Sequence, residues 1–164
     1  MTDVFVSRPN WVAPEFFKGL EGFLGLLRSI KLNPRTIGAT DYPQKAPLDE
    51  VIRLMDECRG AVILGYPQIV ASSGRVKDKS ILKTILLSTE WNHIEAGLAY
   101  AKNVPLLVIH HKGVTRGIFD KGAIAHFIYE LDLSDSSWPL ANNVRGALET
   151  WKKDVLGQPK IRKQ

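Results

Sequence analysis

Ala61-Val62-Ile63-Leu64-Gly65 and Pro105-Leu106-Leu107-Val108-Ile109-His110 are the two stretches that decide the fold. Each is an almost unbroken aliphatic run with no polar alternation, which is typical of a strand that is covered on both faces. Strands of this kind belong to parallel sheets, in which helices pack on both sides. We therefore predict that the two stretches are the third and fourth strands of a parallel α/β sheet.

Short β-type runs alternate with longer segments of helical spacing along the rest of the chain. The predicted strands are Asp3–Ser7, Pro34–Gly38, Ala61–Gly65, Pro105–His110 and Phe127–Leu133, and the predicted helices are Pro14–Ile30, Pro47–Arg59, Glu90–Asn103 and Leu140–Val155. This alternation predicts a flavodoxin-like three-layer α/β sandwich with a five-stranded parallel sheet in the order 2-1-3-4-5. Ligands of such sheets bind at the carboxyl ends of the strands.

The length and the charge distribution predict one domain with a basic tail. The chain has 164 residues and a net charge of +5, and we expect a single α/β domain over residues 1–156 and a basic C-terminal tail over residues 157–164. Five basic residues and one acidic residue follow Thr150, so this end supplies four of the five net charges. Because the charge is concentrated at one terminus, nucleic acid is disfavoured as a partner.

Several classes of protein and of site are excluded by motifs that the sequence lacks. Cys58 is the one cysteine; it is expected to pack in the interior, and it excludes an internal disulfide and a four-cysteine zinc site. No metal site is expected, and the sequence contains no phosphate loop. No apolar run reaches about 18 residues, so no membrane span is expected. Met1-Thr2-Asp3 lacks the features of a secretory signal, so we expect a cytoplasmic protein.

A long connection, residues 66–89, separates the third strand from the third helix. Its middle is basic, with Arg75, Lys77, Lys79 and Lys83, and the apolar residues 81–87 that follow suggest an extra short helix. Loops of this length are usually functional or mobile. A functional loop and a solvated insertion with a packed helical end both remain open.

The third predicted helix places a carboxylate among apolar neighbours. Trp91, Glu95, Leu98 and Ala99 share one stripe of this helix: Trp91 lies four residues before Glu95, and Leu98 and Ala99 lie three and four residues after it. Glu95 is therefore either a carboxylate at the rim of a pocket, or an ordinary helix glutamate that reaches water or pairs with a base. Composition alone favours the second interpretation.

A family resemblance favours the first interpretation. Residues 3–112 resemble the TIR domain and the related nucleoside deoxyribosyltransferase-like group. The first strand, the helix and strand that follow the second loop, and the Trp-x-x-x-Glu helix with its following strand are similar to these families. The matching residues are Val4–Ser7, Leu48–Ile52, Cys58–Leu64, Trp91, Glu95, Ala99 and Val104–Ile109. Glu95-Ala96-Gly97-Leu98-Ala99 also fits the Glu-x-Gly-x-Ala helix of the transferases.

The resemblance implies cleavage of the N-glycosidic bond of NAD, with Glu95 as the catalytic carboxylate. NAD is then a substrate, and no cofactor is expected. Such cleavage passes through an oxocarbenium-like ribosyl state that a carboxylate stabilises or attacks. Nicotinamide leaves a cationic ring as a neutral base, so one carboxylate is sufficient, whereas a neutral nucleoside also needs an acid for its leaving base.

Six further residues are candidates for substrate binding: Ser7, Arg8, Trp11, Asp41, Tyr42 and Trp91. A tryptophan face would hold the leaving base, the arginine would meet a phosphate or a ribose hydroxyl, and the serine would bind the ribose. Asp41 is a candidate second acid. Tyr42 lies in the loop Ile37–Ala46, which corresponds to the BB loop of TIR domains. Each of these residues also has an ordinary structural interpretation, in packing or at a solvated surface.

Three functions follow from these observations. The first is an NAD glycohydrolase or cyclase, such as a prokaryotic defence or signalling effector that acts by self-assembly as a homo-oligomer. The second is a glycosidase or deoxyribosyltransferase that acts on nucleosides or nucleotides. The third is a non-catalytic interaction module with a regulatory protein partner, in which Glu95 is structural. The first two predict a small nucleotide ligand, and none predicts a membrane partner.

Overall fold

A five-stranded parallel sheet forms the centre of the protein. The structure, a computed structural model, describes residues 1–124 and 128–157. Its strands are β1 (Thr2–Ser7), β2 (Leu32–Arg35), β3 (Ala61–Gly65), β4 (Ile69–Ala71), β5 (Arg75–Val76), β6 (Lys79–Ser80), β7 (Ile85–Leu87), β8 (Leu106–His111) and β9 (Ile128–Leu131). The sheet order is β2-β1-β3-β8-β9, with parallel neighbours throughout. Counted over these five strands the order is 2-1-3-4-5, so the predicted flavodoxin-like fold class is confirmed.

Four α-helices connect and cover the strands: α1 (Pro14–Ser29), α2 (Pro47–Glu57), α3 (Glu90–Ala101) and α4 (Asn142–Gly157). Proline occupies the first turn of α1 and of α2, where its missing N–H costs no hydrogen bond. The Thr89 side chain caps α3 by accepting a hydrogen bond from the Asn92 backbone N–H. Within residues 1–124 and 128–157, no helix is both long and apolar enough to cross a membrane.

Two apolar clusters cover the two faces of the sheet. One cluster packs α1 and α4 against every second residue of the strands, including Val4, Val6 and Leu64. The other cluster packs α2 and α3 against the intervening strand residues, including Phe5 and Ile63. This alternation is the side-chain period of a strand, and it produces the three layers.

Most predicted elements are present, with shifts at their ends. β2 ends at Arg35 rather than Gly38, because the Thr36 carbonyl accepts the backbone N–H groups of residues 39–41 in a tight turn. The short 3₁₀ segment Trp138–Leu140 precedes α4, which extends to Gly157, so the predicted tail begins inside a helix. Residues 158–164 of that tail, and the predicted start of the fifth strand at Phe127, lie outside the described residues.

The connection 66–89 differs from the prediction. Strands β4 and β7 pair antiparallel, and β5 and β6 form a second hairpin beyond them. The expected short helix over residues 81–87 is therefore wrong. Lys77 and Asp78 adopt the positive φ angles of a tight hairpin turn. The Leu86 carbonyl accepts a hydrogen bond from the Thr115 N–H at 3.2 Å, which holds β7 extended against the loop after β8.

Close packing of α4 on the sheet depends on Gly60, and we expect Gly60→Ala to destabilise the protein. A Cβ atom at this position would meet the Val155 side chain and lie 2.8 Å from Trp151 Cζ2. Overpacking of this kind costs about 1–3 kcal/mol of unfolding free energy. Gly25→Ala is the matched control, because a Cβ atom at Gly25 in α1 meets nothing within 4 Å. The control should gain up to about 1 kcal/mol in urea unfolding, since alanine favours a helix; equal effects of the two substitutions would contradict the packing described.

Candidate functional site

A cleft of about 390 Å³ opens at the carboxyl end of the sheet. It lies between the loops that follow β1, β2 and β3 and the first turns of α2 and α3. This is where ligands of doubly wound sheets bind. Its lining residues are Arg8, Pro9, Asn10, Trp11, Ile37, Gly38, Pro43, Pro47, Val51, Gln68, Thr89, Trp91 and Glu95.

Glu95 brings a buried carboxyl group to this cleft. Its side chain projects from the second turn of α3, and the residue is only 7% exposed. Burial raises the pKa of Glu95 to about 7, because a charged carboxylate loses its hydration, and a hydrogen bond from Ser7 opposes that rise. A carboxyl group with this pKa is present in both protonation states near neutral pH.

Buried hydrogen bonds of Asn92, one helical turn before Glu95, connect α3 to β1 and β3. Asn92 Nδ2 donates to Ser7 Oγ at 2.8 Å and approaches the Leu64 carbonyl at 3.5 Å. Ser7 and Asn92 are each about 1% exposed, so both side chains belong to the interior. The predicted Ser7 therefore lies in the interior against α3, and it is not among the residues that line the cleft.

Two tryptophans stand at the rim of the cleft, as sequence analysis proposed for a base-binding face. Trp11 is 65% exposed and Trp91 is 41% exposed, and both line the cleft. Gln68 Nε2 donates to the Trp11 carbonyl at 3.3 Å, which links the loop after β1 to the loop after β3. Large exposed aromatic side chains of this kind offer flat apolar faces for a ligand ring.

Arg8 lines the same cleft, and part of its side chain is buried. Burial lowers the pKa of Arg8, and the neighbouring Glu21 and Tyr66 partly offset that effect. Its Nη1 donates to the Pro9 carbonyl at 3.1 Å. The buried Nε has no hydrogen-bond partner among the described residues. A role for Arg8 toward a phosphate or a ribose stays a prediction.

Asp41 and Tyr42 are not among the lining residues. The Asp41 carboxylate is bound by the Arg35 guanidinium, whose Nε lies 3.2 Å from Asp41 Oδ2. Burial disfavours the charge on Asp41, but hydrogen bonds from Arg35 and Thr40 outweigh this and lower its pKa. Tyr42 is 74% exposed, next to the lining residue Pro43. Their part in substrate binding is therefore not supported by their positions.

Asn92 was not among the predicted site residues, and the buried side of α3 differs from the stripe noted in the sequence. The buried residues of this helix are Asn92, Glu95, Ala96 and Ala99, whereas Trp91 and Leu98 lie at its edge. Thr89, Asn92 and Glu95 follow one another at intervals of three, which places them on one side of the helix. This i, i+3 spacing of polar residues, on a helix that also carries the small residues Ala96 and Ala99, was the available signal.

Comparison with known proteins finds a similarity of fold only. No family model matches it, and no curated protein is similar to it. Among solved structures, it is similar to the TIR domains of the activated Roq1 resistosome that directly recognizes the pathogen effector XopQ. The match has a TM-score of 0.43 and 12% identity, and it covers 94% of this chain and 81% of that one.

Proposed function

We propose that the protein cleaves the N-glycosidic bond of NAD and releases nicotinamide, with Glu95 as the catalytic carboxylate. The observation that carries this proposal is a buried carboxyl group at a cleft whose rim bears two exposed tryptophans. In this proposal one tryptophan holds the nicotinamide ring, and Glu95 stabilises or attacks the ribosyl cation that forms as the bond breaks. Water, or a second nucleophile, then completes the reaction.

The choice of NAD follows from the acids that the cleft offers. Of the described residues that line it, only Glu95 carries a carboxyl group, and Asp41 is held in an ion pair with Arg35. A neutral nucleoside requires both a carboxylate for the ribosyl cation and an acid for its leaving base. The pyridinium ring of NAD leaves as neutral nicotinamide without a proton, so one carboxylate is enough.

Cleavage of a nucleoside or nucleotide is the second candidate, and the raised pKa of Glu95 favours it. With a pKa of about 7, part of the Glu95 population carries a proton at neutral pH and can donate it to a leaving base. The first candidate uses the ionised form of Glu95, whereas the second uses the protonated form as the acid and needs a further group to stabilise the ribosyl cation.

The pH profile of cleavage tests the proposal. Purified protein is incubated with NAD, and separately with a panel of nucleosides and nucleotides, from pH 5 to pH 9, and released bases are quantified by chromatography. For NAD we expect kcat/KM to rise about tenfold per pH unit below pH 7 and to level off above it, because the charged carboxylate is the active form. High protein concentrations are included, since self-assembly into a homo-oligomer is part of the proposal.

Different results assign the other functions. Release of a free base from a nucleoside, with a rate that falls above pH 7 and with NAD left intact, would replace NAD by a neutral substrate. Absence of turnover at every pH and concentration would contradict both glycosidase candidates. The interaction module, with a regulatory protein as its partner, would then become the working hypothesis.

A further inference from the structure

The insertion between β3 and α3 begins and ends at the rim of the cleft. Gln68, which precedes β4, and Thr89, which follows β7, both line the cleft. The Gln68 backbone N–H donates to the Leu87 carbonyl at 2.8 Å, which continues the pairing of β4 with β7 down to the rim. On its other edge, β7 is held by the hydrogen bond from the Thr115 N–H to the Leu86 carbonyl. The base of the insertion is therefore fixed beside the candidate site.

Residues 69–87 of this insertion, here called the basic arm, carry concentrated positive charge. They include four basic residues and one acidic residue, which gives a net charge of +3. These residues are Arg75, Lys77, Asp78, Lys79 and Lys83. All five are exposed, and none is in an ion pair within the described part of the chain. Arg75 Nη2 donates to the Asp78 carbonyl at 3.0 Å, which holds the turn but leaves the charge of the arginine unneutralised.

Acidic side chains at the same end of the sheet are offset by other groups. Asp41, in the loop after β2, is paired with Arg35. Glu50 is paired with Arg53, one turn along α2. The acidic residues in the first turns of the other helices and of α2 are Glu15, Asp49 and Glu90. The positive ends of the helix dipoles offset part of their charge. The basic arm therefore gives this rim of the cleft a positive potential.

We propose that the basic arm is a specificity element, which favours the binding of phosphate-bearing nucleotides in the cleft over that of uncharged nucleosides. The choice of the cleft as the ligand site rests on the proposed function. Lys83 precedes Thr89 by six residues, so its backbone lies within roughly 20 Å of the rim even in a fully extended chain. Charges act over about 30 Å at 0.01 M ionic strength and about 3 Å at 1 M. The arm can therefore attract a phosphate without touching it, and salt removes the attraction.

Binding of adenosine, AMP and ATP tests the proposal without any cleavage, because these ligands differ only in their phosphates. Dissociation constants are measured by NMR titration at ionic strengths of about 0.01 M and about 1 M. For wild-type protein at low salt, we expect affinity to increase from adenosine to AMP to ATP. At 1 M the three ligands should differ much less, since the charges of the arm are then screened.

Two double variants change the charge of the arm in equal steps. Lys79→Gln with Lys83→Gln lowers its net charge by two, and Lys79→Glu with Lys83→Glu lowers it by four. Arg75 and Lys77 are left unchanged, because Arg75 holds the turn and Lys77 has a positive φ angle. At low salt we expect ATP affinity to fall roughly fourfold in the first variant and roughly fifteenfold in the second, for charges about 20 Å from the ligand. Adenosine affinity should not change.

Arg28→Gln with Lys153→Gln is the matched control, because it removes two positive charges from the opposite end of the sheet. Arg28 is in the last turn of α1. Lys153 follows Trp151, whose indole N–H donates to the Pro105 carbonyl at the start of β8. Both basic residues are exposed. At their greater distance from the cleft, we expect ATP affinity to change less than about twofold.

NAD cleavage supplies a second readout. In the variant with two glutamates, KM for NAD should rise about twofold at low salt, with kcat unchanged, and return to the wild-type value at 1 M. Equal ATP affinities of this variant and wild type at low salt would overturn the proposal, as would a loss of affinity that persists at 1 M. Equal nucleotide affinities combined with weaker binding of phosphatidylserine vesicles would overturn it in favour of a lipid surface. A charge-dependent ATP affinity in a protein that cleaves no NAD would refute the proposed function and leave the role of the basic arm intact.

Discussion

Glu95→Gln is expected to reduce kcat for NAD cleavage by at least about a hundredfold, the usual cost of removing a group that stabilises transition-state charge. Glutamine has nearly the same shape, and its side-chain oxygen is still a hydrogen-bond acceptor. It lacks the negative charge that a ribosyl cation requires, and it cannot form a covalent intermediate. The measurement is nicotinamide release, followed by chromatography at pH 8, where wild-type Glu95 is largely ionised.

Glu90→Gln is the matched control for the loss of one negative charge on the same helix. Glu90 is exposed in the first turn of α3 and is not among the lining residues of the cleft, so its variant should retain wild-type activity. Full activity in Glu95→Gln would remove Glu95 from the chemistry. If changes at the exposed Tyr42 then abolished a cellular function that Glu95→Gln preserved, the interaction module would be favoured.

Sequence patterns predicted the main sheet because its strands are buried on both faces. The aliphatic runs of β3 and β8 have few alternatives to a central parallel strand. The hairpins of residues 69–87 are different, since their strands have two or three residues each and carry too short a pattern to show a period. What holds β7 extended is the Leu86 contact with the loop at Val114 and Thr115. A contact between segments so far apart is not visible in local sequence.

The candidate site was partly predictable for a similar reason. Trp11, Trp91 and Glu95 follow or flank the carboxyl ends of strands, and the sheet order brings such positions together. The ion pair of Asp41 with Arg35 was not predicted, because Arg35 lies on β2 across a turn, and a pair of this kind depends on the geometry of the turn. Asn92 was overlooked because a polar residue in a first helical turn is ordinarily a cap or a solvated side chain.

The second large effect of Glu95→Gln is expected in stability, and its sign depends on pH. Below about pH 4.5, the ordinary pKa of a glutamate, the carboxyl group is protonated in both folded and unfolded states. As pH rises from there, the unfolded chain ionises first, because the folded pKa is about 7. Wild-type protein therefore loses stability relative to the variant across this interval, and above pH 7 the loss stays constant at about 3 kcal/mol of unfolding free energy.

Urea unfolding of both proteins between pH 4.5 and pH 8 measures this difference directly. We expect the difference in unfolding free energy, Glu95→Gln minus wild type, to increase with pH and to reach a plateau near pH 8. A pH-independent effect of the substitution on stability would shift the whole curve without changing its shape. Parallel curves for the two proteins would show that Glu95 is hydrated in the folded state, and would contradict its burial. Glu90→Gln supplies the baseline for an exposed carboxyl group on the same helix.

A carboxylate that lowers stability at neutral pH is hard to explain as a structural residue, since glutamine would fill the same space at lower cost. The predicted increase in stability, together with the predicted loss of NAD cleavage in the same variant, is the combination expected of a residue kept for its chemistry.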